Sequence, residues 1–252
     1  MMNLLTIDIG NTNITAGIFK GSNLLGKTKV PTSAYSSYIR RFKSLIYEAG
    51  LELNRVDEAI VSSVVPLALT RLLVELRRMS GTIKIKIIGR DIKVPIRNLY
   101  RVRSEVGQDR LVNAFAAKVL YGSPAVIVDF GTAITFDIIS KKGDYLGGLI
   151  LPGIELSLSS LYKNTALLPK VALESAPSII GKDTVNSMRG GILFGFGAMC
   201  DGLASQYKKI LGRSTKVIVT GGNSKLMKKY AKSIRYIDED LTLKGLQLIS
   251  EV

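Results

Sequence analysis

Histidine is absent from the 252 residues, and cysteine occurs once. Without histidine there is no Ser–His or Cys–His nucleophile pair and no imidazole metal ligand. With one thiol no internal disulfide can form. Cys200 lies in an apolar, helix-like run and reads as a small buried hydrophobe, not a nucleophile. Tryptophan is also missing. Long apolar runs are scarce. Ile192 to Leu203 is short and broken by Gly195, Gly197 and Asp201, so no membrane span is expected. Met1 to Gly10 reads as a strand carrying an acid, so no signal peptide is expected and the location is expected to be cytoplasmic. Two nucleotide signatures are missing as well. No G-x-x-x-x-G-K-[ST] occurs, which excludes a P-loop enzyme. No G-x-G-x-x-G follows the first strand, which argues against a dinucleotide-binding enzyme.

What is present suits a large core: 46% of the residues are hydrophobic, enough for one large domain or two small ones. Acids are outnumbered by bases, giving a formal charge of +15. The bases gather in Lys84–Arg103 and Lys225–Arg235. Nucleic-acid binding is one implication. In Lys84-Ile85-Lys86-Ile87, however, lysines alternate with isoleucines as on the outer face of a strand, and no zinc-finger or aromatic RNA-binding pattern accompanies them. Nucleic acid is therefore not expected as a partner.

Strand-like segments open the chain at Leu4–Ile9, Ile14–Phe19 and Leu24–Val30, separated by turn residues. The spacing predicts a helix over 36–49, a strand over Ala59–Val65 ended by Pro66, a helix from Leu67 to Met79 and a strand over Ile83–Ile88. The second half begins again, with strands at Val126–Asp129, Ile134–Ile139 and Leu146–Leu151. A long helix-rich stretch and a late strand, Lys216–Thr220, follow. Ile7–Thr15 can be laid on Val128–Thr135 with one deletion, and Ala59–Ser63 corresponds to Val217–Gly221. This implies a duplicated α/β unit, residues 1–116 and 117–252, with the two copies expected to face each other across a ligand cleft.

The chemistry gathers at the repeated turns. Asp8-Ile9-Gly10-Asn11-Thr12 ends a buried strand in an acidic hairpin. Backbone N–H groups and hydroxyls of such a turn can hold phosphate oxygens, and the aspartate can hold Mg²⁺ directly or through water. An ordinary hairpin has the same composition, but the pattern recurs at Asp129-Phe130-Gly131-Thr132. Two such hairpins would form a phosphate clamp. A third piece, Thr220-Gly221-Gly222-Asn223-Ser224, either lets backbone lie flat against a ring or is a capped strand-to-helix turn.

Two phosphate hairpins followed by a glycine pair is the motif order of the superfamily of sugar kinases, actin and heat-shock chaperone ATPases. Within it the chain resembles the type III pantothenate kinases along nearly its whole length. The resemblance is carried by DIGNT at 8–12, SSVVP at 62–66, EVGQDR at 105–110, DFGTAIT at 129–135, GGLILPG at 147–153, TALLP at 165–169, GKDT at 181–184 and TGGNS at 220–224. It implies an α/β fold of two duplicated ribonuclease H-like domains (the actin-like ATPase fold). It also implies phosphorylation of pantothenate by ATP, with a divalent metal such as Mg²⁺ and with K⁺ or NH₄⁺, by a homodimer.

By the same resemblance, Asp8, Ile9, Gly10, Asn11, Thr12, Asn13, Ile14 and Thr15 would line the ATP phosphates, with Asp8 near Mg²⁺, and Thr132 would touch ATP. Asp109 would be the general base. Tyr100, Gly107, Gln108, Asp109, Arg110 and Thr184 would contact the substrate, and Asp129 would hold the monovalent cation. Each has an ordinary alternative: Asp109 and Thr184 as helix caps, Tyr100 as a half-buried aromatic, Arg110 as the ion-pair partner of Asp109. Gln108 stands where the family has alanine, and Arg103 replaces a frequent proline. A kinase of another small hydroxy acid or sugar, or a non-catalytic basic regulator on the same fold, are the competing expectations.

Overall fold

The structure is a computed structural model that describes residues 1–252. The chain forms two compact units, one of residues 1–96, 101–116 and 240–252, the other of residues 97–100 and 117–239.

The first unit is built on a five-stranded sheet. Its strands are β1 (Asn3–Ile9), β2 (Asn13–Lys20), β3 (Asn23–Pro31), β4 (Glu58–Ser63) and β5 (Lys84–Ile87), in the order β3-β2-β1-β4-β5. β1 pairs antiparallel with β2 and parallel with β4. Apolar residues on both faces of β1 and β2 require cover on both sides. One face (Leu5, Ile7, Ile9, Ile14, Ala16, Ile18) packs against Phe42, Leu45 and Ile46 of α1 (Tyr38–Glu48) and Ala68, Leu72 and Leu76 of α2 (Pro66–Met79). The other (Leu4, Phe19, Ile60) packs against Val112 and Phe115 of α3 (Gln108–Tyr121).

The second unit repeats the plan. Its strands are β6 (Ala125–Phe130), β7 (Ala133–Ile139), β8 (Tyr145–Pro152), β9 (Lys216–Thr220) and β10 (Tyr236–Ile237), in the order β10-β9-β6-β7-β8. β6 pairs antiparallel with β7 and parallel with β9, as β1 does with β2 and β4. The helices are α4 (Ile154–Lys163), α5 (Thr184–Leu211) and the single turn α6 (Ser224–Met227). Val126, Val128, Phe130, Ile134 and Phe136 form the core with Leu193, Cys200 and Ala204 of α5. Cys200 is fully buried, and burial pushes its thiol up to about 11, so it is inert at neutral pH.

Local differences from the sequence expectations have visible causes. β4 stops at Ser63, whose Oγ accepts from the Val65 N–H at 3.0 Å, and Pro66 begins α2 at its first turn. Residues 164–183, expected within a helix-rich stretch, contain no regular element. Residues 240–252, placed in the second half by sequence order, group with the first unit. There α7 (Leu241–Ser250) sets Leu243, Leu246 and Ile249 against Leu4, Phe19 and Ile60. No helix is long and apolar enough to cross a membrane.

Candidate active site

In the first unit Asp8 is half-buried at the end of β1, directly paired with Thr15 on β2 and Ser62 on β4. Side chains of directly paired residues share a sheet face. Thr15, Asp8 and Ser62 therefore form one row, on the face that carries Leu4, Phe19 and Ile60 and receives α3. The loop that follows folds its carbonyls back into the unit. Asn13 O accepts from Gly10 N at 3.0 Å, Gly10 O from Thr32 Oγ1 at 2.7 Å, and Thr12 O from Thr32 N at 2.9 Å. Asn11 and Thr12 are left exposed at the tip. Oxygen dipoles turned inward and polar side chains turned outward suit an anion. Ile9 and Ile14 are buried core residues on the opposite face, so they shape this loop through the backbone alone.

The start of α3 lies beside the end of β4: a Cβ on Gly107 would stand 3.7 Å from Val64 Cγ1 and would overlap Asp109 Oδ1. Position 107 thus has no room for a side chain while Asp109 keeps its place. Gln108 lies over Gly89, where a Cβ would come within 2.9 Å of its Cδ. This residue fills a space inside its own unit. Asp109 is in the first turn of α3, and its Oδ1 accepts from the Arg110 N–H at 2.9 Å. Asp109 is a first-turn helical residue, not a cap outside the helix. Burial raises its carboxyl pKa above the ordinary value, and the Arg110 N–H and guanidinium only partly offset this. Arg110 is buried. Asp109 precedes by one turn Val112, which packs in the cluster with Ile60. The α3 start stands beside Val64, two residues past the Ser62 that pairs with Asp8.

The second unit holds the other predicted residues. Asp129 is half-buried at the end of β6, paired with Thr135 on β7 and Thr220 on β9. Gly221 (φ +87°) fixes it from the side: a Cβ there would overlap Asp129 Oδ1 and lie 2.7 Å from the Phe130 carbonyl carbon. The first glycine of this pair therefore serves the aspartate and its backbone. Thr132 is exposed at the hairpin tip, with its carbonyl accepting from Gly153 N at 3.1 Å. Tyr100 is half-buried, held by the strand-like pairing of Leu99 N with Tyr145 O at 2.9 Å. Its ring lies against Gly147 (φ +120°), where a Cβ would be 3.2 Å from Cδ2. Thr184 is exposed as the first residue of α5, and the cap is Asp183, which accepts from Asn186 N at 2.8 Å.

Sequence reasoning missed Ser62. It is fully buried, and its Oγ has no hydrogen-bond partner. An unsatisfied buried hydroxyl costs about 1–3 kcal/mol. The signal was the SSVVP motif, but the consequence of its first serine depends on sheet register.

Comparison with known proteins completes the picture. The chain is 41% identical over 252 residues to the type III pantothenate kinase of Anaeromyxobacter dehalogenans (strain 2CP-C), covering 98% of both chains. Among solved structures, the ethanolamine utilization protein EutJ from Carboxydothermus hydrogenoformans superposes with a TM-score of 0.56 at 14% identity, over 99% of this chain and 90% of that one. The inorganic polyphosphate/ATP-glucomannokinase from Arthrobacter sp. strain KM gives 0.50 at 16% identity, over 100% and 99%. These likenesses fix the actin-like ATPase fold of the sugar kinases. The sequence profile of the type III pantothenate kinases matches residues 4–206, and with the relative above it shows that this chain belongs to the type III pantothenate kinase family.

Proposed function

We propose that this chain transfers the γ-phosphoryl group of ATP to the hydroxyl of pantothenate, giving 4'-phosphopantothenate, the opening reaction of coenzyme A biosynthesis. Membership of the family supports the reaction. The observation that supports the assignment of residues is the closeness of Gly107, at the start of α3, to Val64, two residues past the β4 residue paired with Asp8.

Asp8 suits a divalent ion held mainly by the nucleotide. Mg²⁺ prefers one or two carboxylates, with water and phosphate oxygens completing its shell. No group of three or more acidic, histidine or cysteine side chains is gathered anywhere, so the donor set fits that kind of site and not an all-protein cage. When bound, the ion offsets charge on the transferring phosphate. Asp8 orients that charge, and the exposed side chains of Asn11 and Thr12, with Asn13 and Thr15 behind them, hold phosphate oxygens. Thr132 supplies a hydroxyl to the nucleotide. Phosphoryl transfer has a loose transition state, so most of the work is positioning. Asp109 aligns the pantothenate hydroxyl and accepts its proton. Burial makes this carboxylate a better proton acceptor than an exposed one, and it places the acid limb of the pH–rate profile above the ordinary carboxylate range. Gly107 keeps the approach clear, Gln108 and Arg110 brace the turn, and Tyr100 and Thr184 contact the substrate. Asp129 holds K⁺ or NH₄⁺. The enzyme works as a homodimer in the cytoplasm.

A coupled assay of ADP release with ATP, Mg²⁺, K⁺ and pantothenate tests the proposal. Release that depends on pantothenate is expected. Equal release without it, or a preference for another hydroxy acid or a sugar in a substrate panel, would overturn it.

A further inference from the structure

We propose that Ser62 is a positioning residue for Asp8: its hydroxyl, unpartnered in this structure, comes to donate to the Asp8 carboxylate when Mg·ATP binds and holds it in the orientation that receives the metal–nucleotide. The inference rests on the role given to Asp8 above and adds a residue to that site.

Three observations carry it. Ser62 is the β4 residue paired with Asp8, so the two side chains stand side by side on the face that meets α3. Adjacent strands are about 4.8 Å apart, which lets a serine rotor reach a neighbouring carboxylate. Second, the hydroxyl is fully buried and has no hydrogen-bond partner in this structure, although the rest of β4 from Ala59 to Val61 is aliphatic and buried. The local turn does not need it. Ser63 makes that turn, accepting from Val65 N at 3.0 Å and donating to Val65 O at 3.2 Å. Alanine would suit the packing at position 62 better than serine does.

Third, the duplicated unit repeats the arrangement. Asp129 on β6 is paired with Thr220 on β9, which is again buried, at 2% exposure, after the aliphatic residues Val217–Val219. On the hairpin side the partners are also hydroxyl residues, Thr15 for Asp8 and Thr135 for Asp129. Each acid thus lies between hydroxyl residues, although the Thr135 hydroxyl donates to Asp137 at 3.0 Å, which leaves Thr220 as the counterpart of Ser62. A donor beside a carboxylate restricts its rotamers. Ser62 is sealed from solvent, so it acts through Asp8 and not on the nucleotide itself.

The experiment is calorimetric titration of the full chain with ATP, once with Mg²⁺ and once with EDTA, on wild type, Ser62→Ala, Ser62→Cys and Ser62→Thr. Losing one hydrogen bond to a charged group should weaken Mg·ATP binding about tenfold or more in the alanine and cysteine variants. Binding in EDTA should stay unchanged, and the melting temperature should be equal to or above wild type. Threonine, the residue at the duplicated position, should restore Mg·ATP binding. Wild-type Mg·ATP affinity in both hydroxyl-free variants, or an equal loss with and without Mg²⁺, would overturn the proposal. If the wild type fails to phosphorylate pantothenate, the substrate assignment falls, whereas this titration still decides the role of Ser62.

Discussion

Asp109→Asn separates the chemistry of the site from its stability, because the two should move in opposite directions. Asparagine keeps the shape of the side chain and an oxygen that can accept from the Arg110 N–H, now made at 2.9 Å. The start of α3 should therefore persist. What disappears is the charge. General-base catalysis contributes about 10²–10⁴-fold, which is about 3–5 kcal/mol of barrier. Turnover should fall by that factor while ATP affinity stays at the wild-type level. Stability should rise. Burial raises the folded-state pKa of Asp109 above its unfolded value, so the fold favours the neutral carboxyl. A group shifted in this direction contributes stability below its unfolded pKa, about 4 for aspartate. It loses that contribution as pH climbs through the folded pKa. At pH 7 the ionised carboxylate burdens the fold, and asparagine removes the burden. The variant should melt above wild type at pH 7, and its advantage should shrink as the pH is lowered toward 4. A steady-state assay and melting curves across that range measure both quantities. Retention of most turnover would remove Asp109 as the base, and a lower melting temperature at pH 7 would refute the account of its burial.

Three further outcomes are expected. Gly221→Ala meets a left-handed backbone at φ +87° and the immovable backbone of Phe130 at 2.7 Å. The left-handed conformation alone costs about 1–2 kcal/mol. The total should reach roughly 2–4 kcal/mol in chemical denaturation, and a loss under 1 kcal/mol would show that Gly221 is not pressed against Asp129. Gly147→Ala pushes on the Tyr100 ring from 3.2 Å at φ +120°. It should raise the KM for pantothenate and leave that for ATP unchanged, and the opposite pattern would take Tyr100 out of the substrate site. Replacing K⁺ or NH₄⁺ by Na⁺ should slow the reaction, and equal rates in the two buffers would remove the cation from Asp129.

The duplicated fold was legible because its signals are local. Each unit opens with an apolar strand, an acid and a small polar turn, and the element orders match: β3-β2-β1-β4-β5 mirrors β8-β7-β6-β9-β10. The acids at 8, 109 and 129 were legible as motif residues. Neighbourhood was not. Nothing in the chain order says that α7 covers the first sheet. An apolar helix face fits either one, and the choice is made by Leu243, Leu246 and Ile249 packing on Phe19 and Ile60. Register was hidden as well. Ser62 and Ser63 are adjacent and alike in sequence, yet one is fully buried beside Asp8 and the other closes a turn. Alternation along a strand assigns them opposite faces, but only the pairing with β1 says which face holds the carboxylate.

The two units use the same row of groups and fix their acids differently. In both, a hydroxyl residue on the parallel strand stands beside the aspartate: Ser62 beside Asp8, Thr220 beside Asp129. The next residue differs. Ser63 carries a side chain that bonds Val65. Gly221 can carry none, because Asp129 and the backbone of Phe130 occupy the place of its Cβ. The carboxylate of the second unit is therefore wedged by main chain. The carboxylate of the first unit is bounded by hydroxyl side chains, which can rotate. Hydroxyl donors that can hold it by hydrogen bonds suit the acid proposed above to serve a hydrated Mg²⁺. One duplicated frame thus sets one acid against main chain and the other beside hydroxyl side chains, and the residue after the buried hydroxyl is glycine in the first case and serine in the second.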